Sequence, residues 1–115
     1  MLVKEIVDLI DGNVLIGEEK LNQNIENAFS SDLMSDVLAH VGENAVLLTG
    51  LNNQQVIRTA EMLDLEAIVF VRGKIPASDI LELAKENEIA IISTRHTLYT
   101  ASGILFGKGL AGIQI

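Results

Sequence analysis

Three short apolar segments recur at equal spacing along the second half of the chain. They read AVLLT, AIVFV and IAIIS, occupy residues 45–49, 67–71 and 89–93, and begin 22 residues apart. A continuous apolar run of this length, bounded by polar turns, is typical of a strand that is buried on both faces of a parallel sheet. The pattern therefore predicts three fully buried strands.

A polar turn and an amphipathic segment follow each apolar run. After the first run, Val56, Ile57 and Ala60 recur at helical spacing. Asn52 or Asn53 can cap that helix. The segments predict helices over residues 53–63, 76–87 and 96–106, with Pro76 in a first turn, where its missing N–H costs little. Strands that alternate with helices imply right-handed crossovers. The predicted fold is therefore α/β: one domain over residues 1–115, a mainly parallel sheet and helices on both faces.

The first 44 residues carry weaker patterns of the same kind. We predict a helix whose apolar stripe ends at Gly12, a short strand over 14–17, a polar loop over 18–24 and a second short strand over 25–29. A further helix follows, opened by Ser30-Ser31-Asp32, in which Ser31 or Asp32 can accept hydrogen bonds from free N–H groups. The stripe of the first helix is Leu2, Ile6, Leu9 and Ile10, and the inward face of the second is Leu33, Val37, Leu38 and Val41.

The last predicted helix has two apolar faces. One face is formed by Leu98, Ala101, Ser102 and Leu105, and the other by Tyr99, Gly103 and Phe106. If the first face packs on the sheet, the second needs another partner. We expect a homodimer formed through Tyr99, Phe106 and the 108–115 tail. The alternative is that the apolar tail folds back over these rings within one chain.

Composition and charge exclude several classes of protein. The chain has no cysteine, so it forms neither disulfides nor thiolate metal sites. Its net charge is −8, and residues 1–50 hold two lysines against nine acidic residues. Nucleic-acid binding is not expected, because it depends on neutralising phosphates. The N-terminus does not resemble a signal peptide, and no apolar run approaches the ~20 residues of a membrane span. We therefore expect no membrane partner and a cytoplasmic location.

The turns after the three strands hold the best candidate ligand site. Ligands of open α/β sheets bind at the carboxyl ends of the strands, and helix N-termini there favour anions. The turns are also rich in basic side chains for so acidic a chain. We predict a site for a phosphate-bearing or carboxylate ligand. The alternative is that polar, glycine-rich turns end strands in any case and that the cations balance nearby acids. The candidate ligand-binding residues are Thr49, Gly50, Asn52, Asn53, Arg72, Gly73, Ser93, Thr94, Arg95 and His96.

No catalytic, metal or cofactor motif is evident. Asp32 and Asp36 lie one helical turn apart and could hold Mg²⁺, but a helix cap and a solvated acidic face explain them better. Residues 107–112 match G-x-G-x-x-G but follow a helix, where the dinucleotide fingerprint must follow a strand. No group that would orient the His96 imidazole toward Ser93 is evident. We therefore expect no enzyme activity, no cofactor and no metal site.

Several segments together resemble the DRTGG domain family. They are SDLMSDVLA at 31–39, LTGLN at 48–52, VIRTAEM at 56–62, AIVFVRGK at 67–74 and the helix that follows Ser93-Thr94. The chain is most similar to stand-alone DRTGG-domain proteins of anaerobic bacteria and archaea. The resemblance implies an α/β fold like that of the N-terminal domain of HPr kinase/phosphorylase. The Asp-Arg pair of the family motif is absent, and Leu51, Asn52 and Asn53 stand in that region.

The resemblance also bears on function. DRTGG domains accompany phosphotransacetylases and some inorganic pyrophosphatases with CBS domains, where their role is regulatory or oligomerising. Kinase activity belongs to a separate P-loop domain, which this sequence lacks. The first hypothesis is therefore a non-catalytic, homodimeric regulatory module that binds an anionic ligand (a nucleotide or a phosphorylated compound) or a partner enzyme at the strand ends. The second is a purely structural protein–protein interaction module without a small-molecule ligand.

Overall fold

A computed structural model describes residues 1–115, and its elements follow the predicted order. Eleven strands and helices run in the sequence α1 Val3–Leu9, β1 Asn13–Ile16, β2 Asn27–Ser30, α2 Met34–His40, β3 Ala45–Thr49, α3 Gln54–Met62, β4 Ala67–Phe70, α4 Ser78–Glu86, β5 Ala90–Ser93, α5 Leu98–Gly107 and β6 Ala111–Gly112. A short 3-10 helix, Glu18–Lys20, interrupts the loop after β1.

The strands form one six-stranded sheet in the order β1-β5-β4-β3-β2-β6. All neighbours are parallel except β1, which runs antiparallel to β5 at one edge. Thr49 of β3 lies opposite Phe70 of β4, which lies opposite Ser93 of β5. Strands β3, β4 and β5 therefore end level with one another.

Alternate residues of each central strand enter two separate cores. Leu47, Ile68 and Ile91 pack with α2, α3 and α4 on one face of the sheet. Val46 and Val69 pack with α1 and α5 on the other face. Because every residue of β3, β4 and β5 is buried, these strands need apolar side chains at all positions. The prediction of an α/β fold with a mainly parallel sheet and helices on both faces is confirmed.

The structure corrects several local predictions. Strand β2 begins at Asn27 rather than at residue 25, and α4 begins at Ser78, so the buried Pro76 precedes the helix. Helix α2 begins at Met34 with Leu33 at its N-cap. The helix therefore starts later than predicted, and Leu33 lies outside it.

The predicted inward face of this segment is confirmed at Val37 and Val41 and is wrong at Leu33 and Leu38. Met34, Val37 and Val41 are buried, whereas Leu33 and Leu38 are exposed. A helix of two turns is too short for its apolar spacing alone to fix which side faces the core.

The C-terminal tail forms an edge strand rather than a cover for α5. Ala111 and Gly112 pair in parallel with Asn27 and Ala28 of β2. The rings of Tyr99 and Phe106 remain 89% and 72% exposed. The alternative that the tail folds over these rings is therefore wrong. No helix combines the length and hydrophobicity that a membrane crossing requires.

A buried hydroxyl joins the beginning of the chain to the end of β5. The Thr94 hydroxyl donates a hydrogen bond of 2.7 Å to the Ile10 carbonyl, at the end of α1. Thr94 is 1% exposed and Ile10 is fully buried, so water cannot replace this bond. The bond fixes α1 against the sheet.

We expect the substitution Thr94→Val to lower the free energy of unfolding by about 1–3 kcal/mol, because it leaves the buried Ile10 carbonyl without a partner. The matched control is Thr59→Val. Thr59 is equally buried, in α3, but its hydroxyl takes part in no hydrogen bond of the structure. Urea unfolding followed by circular dichroism measures both variants; equal stabilities would contradict the role of Thr94.

Candidate functional site

The level ends of β3, β4 and β5 bring the ten predicted ligand-binding residues to one edge of the sheet. Backbone hydrogen bonds tie their turns together. The Arg72 amide donates to the His96 carbonyl and the Gly73 amide to the Thr94 carbonyl, both at 2.8 Å. The Val71 amide donates to the Thr49 carbonyl at 3.1 Å. The turns after the three strands therefore form one connected rim, which we call the strand-end rim, comprising residues 49–53, 71–74 and 93–97.

An aspartate from a fourth strand end completes this rim. The carboxylate of Asp32, two residues beyond β2, accepts the Gly50 N–H at 2.7 Å and the Thr49 hydroxyl at 2.8 Å through the same oxygen. The Gly50 N–H first, and then the Thr49 hydroxyl, hold the pKa of Asp32 below its ordinary value of 3.8, and the charge of Arg72 acts in the same direction. Both bonds are charge-assisted and fasten β2 to the turn after β3.

Asp32 therefore does not cap α2, contrary to expectation. Ser31 accepts a backbone N–H as expected, but that N–H belongs to the N-cap residue and not to the helix. Leu33 is the N-cap residue and makes no side-chain cap bond. The Ser31 hydroxyl accepts the N–H of Leu33 at 3.0 Å, one residue before the helix. Sequence reasoning missed the contact of Asp32 with Gly50, because the partners are 18 residues apart.

Arg72 lies directly over the turn after β3. A Cβ atom on Gly50 would lie 2.6 Å from Arg72 Nη2, so the guanidinium lies close against this glycine. The Arg72 backbone is left-handed, with φ of 59°, and Gly73 follows with φ of 69°. A left-handed arginine is strained, and such strain persists where surrounding contacts hold it. Here the two amide bonds to the 94–96 turn hold it.

The basic side chains of the strand-end rim are not balanced by ion pairs. The chain has one salt bridge, between Lys20 and Glu66, at 3.9 Å. Arg72, Lys74 and Arg95 are all exposed and none has a carboxylate within 4 Å. These cations therefore form no contact ion pair, although the charge of Arg72 acts on Asp32. The alternative that they balance nearby acids stays a prediction.

All three hydroxyl-bearing residues among the predicted ligand contacts already have partners inside the chain, Thr49 through its bond to Asp32. The Ser93 hydroxyl donates to the Lys74 carbonyl at 3.1 Å, and the Thr94 hydroxyl donates to Ile10. Both residues are buried. No hydrogen bond joins Ser93 to His96, so the pair is not assembled for nucleophilic chemistry. The side chains of Asn52, Asn53 and Arg95 make no hydrogen bond within the chain. As ligand contacts, all ten residues stay predictions.

No residue of the strand-end rim lines either of the two concavities. One, of about 660 Å³, runs between α5 and strands β2 and β6 and is mostly apolar; its walls include Tyr99 and Phe106. The other, of about 240 Å³, lies at the opposite edge of the sheet among Lys20 and several acidic residues. No group of three or more acidic or histidine side chains is arranged to hold a metal ion.

The family of the chain follows from its sequence match. The model of the DRTGG domain matches residues 5–106. The chain belongs to the DRTGG domain family. The match includes every strand and helix of the domain except the first residues of α1, the end of α5 and the edge strand β6. A comparison with curated proteins finds no match.

A solved structure has the same fold as this DRTGG domain. It is the crystal structure of the CBS and DRTGG domains of the regulatory region of Clostridium perfringens pyrophosphatase, complexed with the activator diadenosine tetraphosphate. The TM-score is 0.70 and the identity is 20%, over 90% of this chain and 45% of that one. This chain therefore spans less than half of the relative, and the likeness establishes the fold alone.

The substitution Asp32→Ala tests the carboxylate contact. A carboxylate with a depressed folded pKa contributes stability that is present above its ordinary pKa of 3.8 and is lost as the pH falls through the folded value. At neutral pH we expect Asp32→Ala to cost about 1 kcal/mol, a value at the low end for a charged acceptor because Asp32 is exposed.

Urea unfolding at a series of pH values measures this cost. The difference from wild type should shrink as the pH falls below 3.8. Asp8→Ala, an exposed aspartate of α1 without a hydrogen bond, serves as the control. A cost that is independent of pH, or equal in the control, would contradict the contact.

Proposed function

We propose that this DRTGG domain is a non-catalytic regulatory module that binds a small anionic ligand, a nucleotide or a phosphorylated compound, at the strand-end rim. It works as a homodimer through Tyr99, Phe106 and the 108–115 tail, and it transmits the ligand's presence to a partner enzyme. The observation that carries the proposal is the guanidinium of Arg72, which lies over Gly50 without a hydrogen-bond or salt-bridge partner in the chain.

The backbone strain at Arg72 supports a role of this residue in ligand binding. An exposed arginine gains nothing for stability from a left-handed backbone, and glycine would fit this position without strain. The guanidinium carries five N–H donors at this edge of the sheet, and no acceptor in the chain takes them. A phosphate or carboxylate is the ligand chemistry that matches a guanidinium fork.

Asp32 supports a ligand that is more than a bare anion. One oxygen of its carboxylate accepts the Thr49 hydroxyl and the Gly50 amide, and no hydrogen bond in the chain uses the other. A free carboxylate oxygen beside an arginine suits a ligand that carries a hydroxyl or amine next to its negative charge. The ribose and phosphate of a nucleotide meet both requirements. The diadenosine tetraphosphate bound by the clostridial regulatory region is a ligand of this class.

A second candidate function is a purely structural interaction module. The observation that favours it is the apolar groove of about 660 Å³ beside α5, with two exposed aromatic rings on its wall. Such a surface is typical of protein contacts. This module would dock on a larger enzyme and would bind no small molecule.

Thermal unfolding with a panel of ligands separates the two functions. The panel contains ATP, diadenosine tetraphosphate, acetyl phosphate and inorganic phosphate, with and without Mg²⁺. A ligand at a hundred times its dissociation constant adds about 2.7 kcal/mol, which raises the midpoint of a domain of this size by about 10 °C. We expect such a rise with a nucleotide, and Arg72→Ala and Arg95→Ala should abolish it.

Two controls make the result specific. Arg58→Ala removes an exposed arginine of α3 outside the strand-end rim and should leave the shift intact. Arg72→Gly relieves the left-handed backbone strain. Without ligand, its midpoint of thermal unfolding should therefore be no lower than that of wild type, and a nucleotide should not raise it. If no ligand raises the midpoint of the folded wild type, the ligand-binding regulatory function is contradicted and the structural interaction module is favoured.

A further inference from the structure

The apolar groove beside α5 begins next to the strand-end rim. Ser30, Leu48 and Tyr99 all line the groove. Ser30 lies two residues before Asp32, and Leu48 directly precedes Thr49. Tyr99 lies in the first turn of α5, two residues after the last turn of the rim. One end of the groove is therefore continuous with the rim, where we propose that an anionic ligand binds.

The lining of the groove restricts which part of a ligand can enter it. The volume of about 660 Å³ lies within the range of roughly 300–1,000 Å³ that is typical of small-molecule sites. None of the twelve lining residues is charged. A phosphate group would lose its hydration there without gaining a counter-charge. The groove therefore suits an uncharged part of a ligand whose charged part stays on the rim.

Two serine hydroxyls at this end of the groove can accept hydrogen bonds but cannot donate them. The Ser102 hydroxyl donates its only hydrogen to the Leu98 carbonyl at 2.6 Å. In the 2.6 Å contact between the Ser102 and Ser30 hydroxyls, Ser30 must therefore be the donor. Ser30 is exposed, so its oxygen offers an accessible acceptor. A purely apolar cover would bury that acceptor without a partner, so a matching occupant carries an N–H or O–H donor.

The outer face of α5, formed by Tyr99, Gly103 and Phe106, leaves room for a flat ring. Gly103 lies in the interior of the helix, where glycine is destabilising relative to alanine. Its φ is not positive, and a Cβ atom there would contact nothing within 4 Å. A glycine that the fold does not require permits close approach of a ligand to the backbone. The Tyr99 ring, one helical turn away and 89% exposed, is available for stacking.

We propose that the end of the groove near Ser30 binds the base of a nucleotide, an amino-bearing purine such as adenine, which stacks on Tyr99 over Gly103 and donates its amino N–H to Ser30. The inference rests on the proposed function and names the class of ligand. Along the surface, Ser30 is followed by Asp32 and then by Arg72 over the turn after β3. This order matches base, ribose and phosphate. The end of the groove near Phe106 stays free for a protein contact.

Three probes that differ in their uncharged part test the inference by isothermal titration calorimetry. They are ATP, purine riboside triphosphate, which lacks only the amino group, and inorganic tripolyphosphate, which lacks base and ribose. We expect ATP to bind about fivefold more tightly than purine riboside triphosphate, because it alone donates to Ser30. Tripolyphosphate should bind at least about tenfold more weakly than ATP, because it loses the stacking.

Two variants assign these differences to the groove. Ser30→Ala should weaken ATP about fivefold and leave purine riboside triphosphate unchanged. Gly103→Leu should fold, because its side chain enters open space, and should weaken ATP at least about tenfold while leaving tripolyphosphate unchanged. The matched control is Gly107→Leu, which is also exposed and free of Cβ contacts but does not line the groove. It should bind all three probes as wild type does.

Equal affinities for ATP and tripolyphosphate, or a Gly103→Leu variant that binds ATP as wild type does, would overturn the inference and leave ligand binding at the rim intact. A groove covered by protein instead would appear in sedimentation equilibrium as a dimer that Gly103→Leu weakens while its affinity for ATP stays unchanged. That result would also overturn the inference. Failure of the proposed function differs from both, because then none of the three probes binds, or Arg72→Ala binds tripolyphosphate as wild type does; the inference falls with it.

Discussion

The parallel pairing of β2, β3, β4 and β5 is the constraint on which the rest of the molecule depends. These neighbours are hydrogen-bonded in register, and the three later strands are buried on both faces. Polar groups are therefore confined to the strand ends and the outer faces of the helices. Since the strands end level, residues that are 17 to 23 positions apart in the chain (Thr49 and Asp32, Phe70 and Ser93) become neighbours.

The pairing also connects the two proposed surfaces. The 93–97 turn belongs to the strand-end rim, and Thr97 at its end caps α5 by accepting the Thr100 N–H. Helix α5 then carries the outer face proposed for the dimer. At the end of β2, the hydroxyls of Ser30 and Ser102 lie 2.6 Å apart and join that strand to α5. A ligand that repositions the rim has a short route to the dimer surface in this arrangement.

The sequence predicted what depends on local pattern and missed what depends on contacts between distant segments. The continuous apolar runs identified β3, β4 and β5, since burial on both faces requires apolar residues at every position. The inward face predicted for α2 was wrong at Leu33 and Leu38, because two turns of helix allow more than one inward face and Leu33 is the N-cap residue. Strand β6 has two residues and no pattern of its own.

The candidate site shows the same division. The turns with Arg72 and Arg95 were found because strand ends can be located from sequence. The part played by Asp32 was not, because it requires the pairing of Ser30 with Leu48. Once that register is known, the second residue after β2 must lie beside Gly50, the second residue after Leu48. An aspartate directly after a strand that neighbours a glycine turn is the signal that would have found it.

A titration of the ¹⁵N-labelled chain with a nucleotide, followed by two-dimensional NMR, is the most direct test of ligand binding at the strand-end rim. The nine glycine amides report on every relevant surface. Gly50 and Gly73 lie in the strand-end rim, Gly103 and Gly112 line the groove, and Gly42 precedes β3 at the opposite edge. If the nucleotide binds at the strand-end rim, the Gly50 and Gly73 resonances shift in wild type and stay fixed in Arg72→Ala, while that of Gly42 does not move in either. Unmoved Gly50 and Gly73, with or without shifts at Gly103 and Gly112, would contradict it.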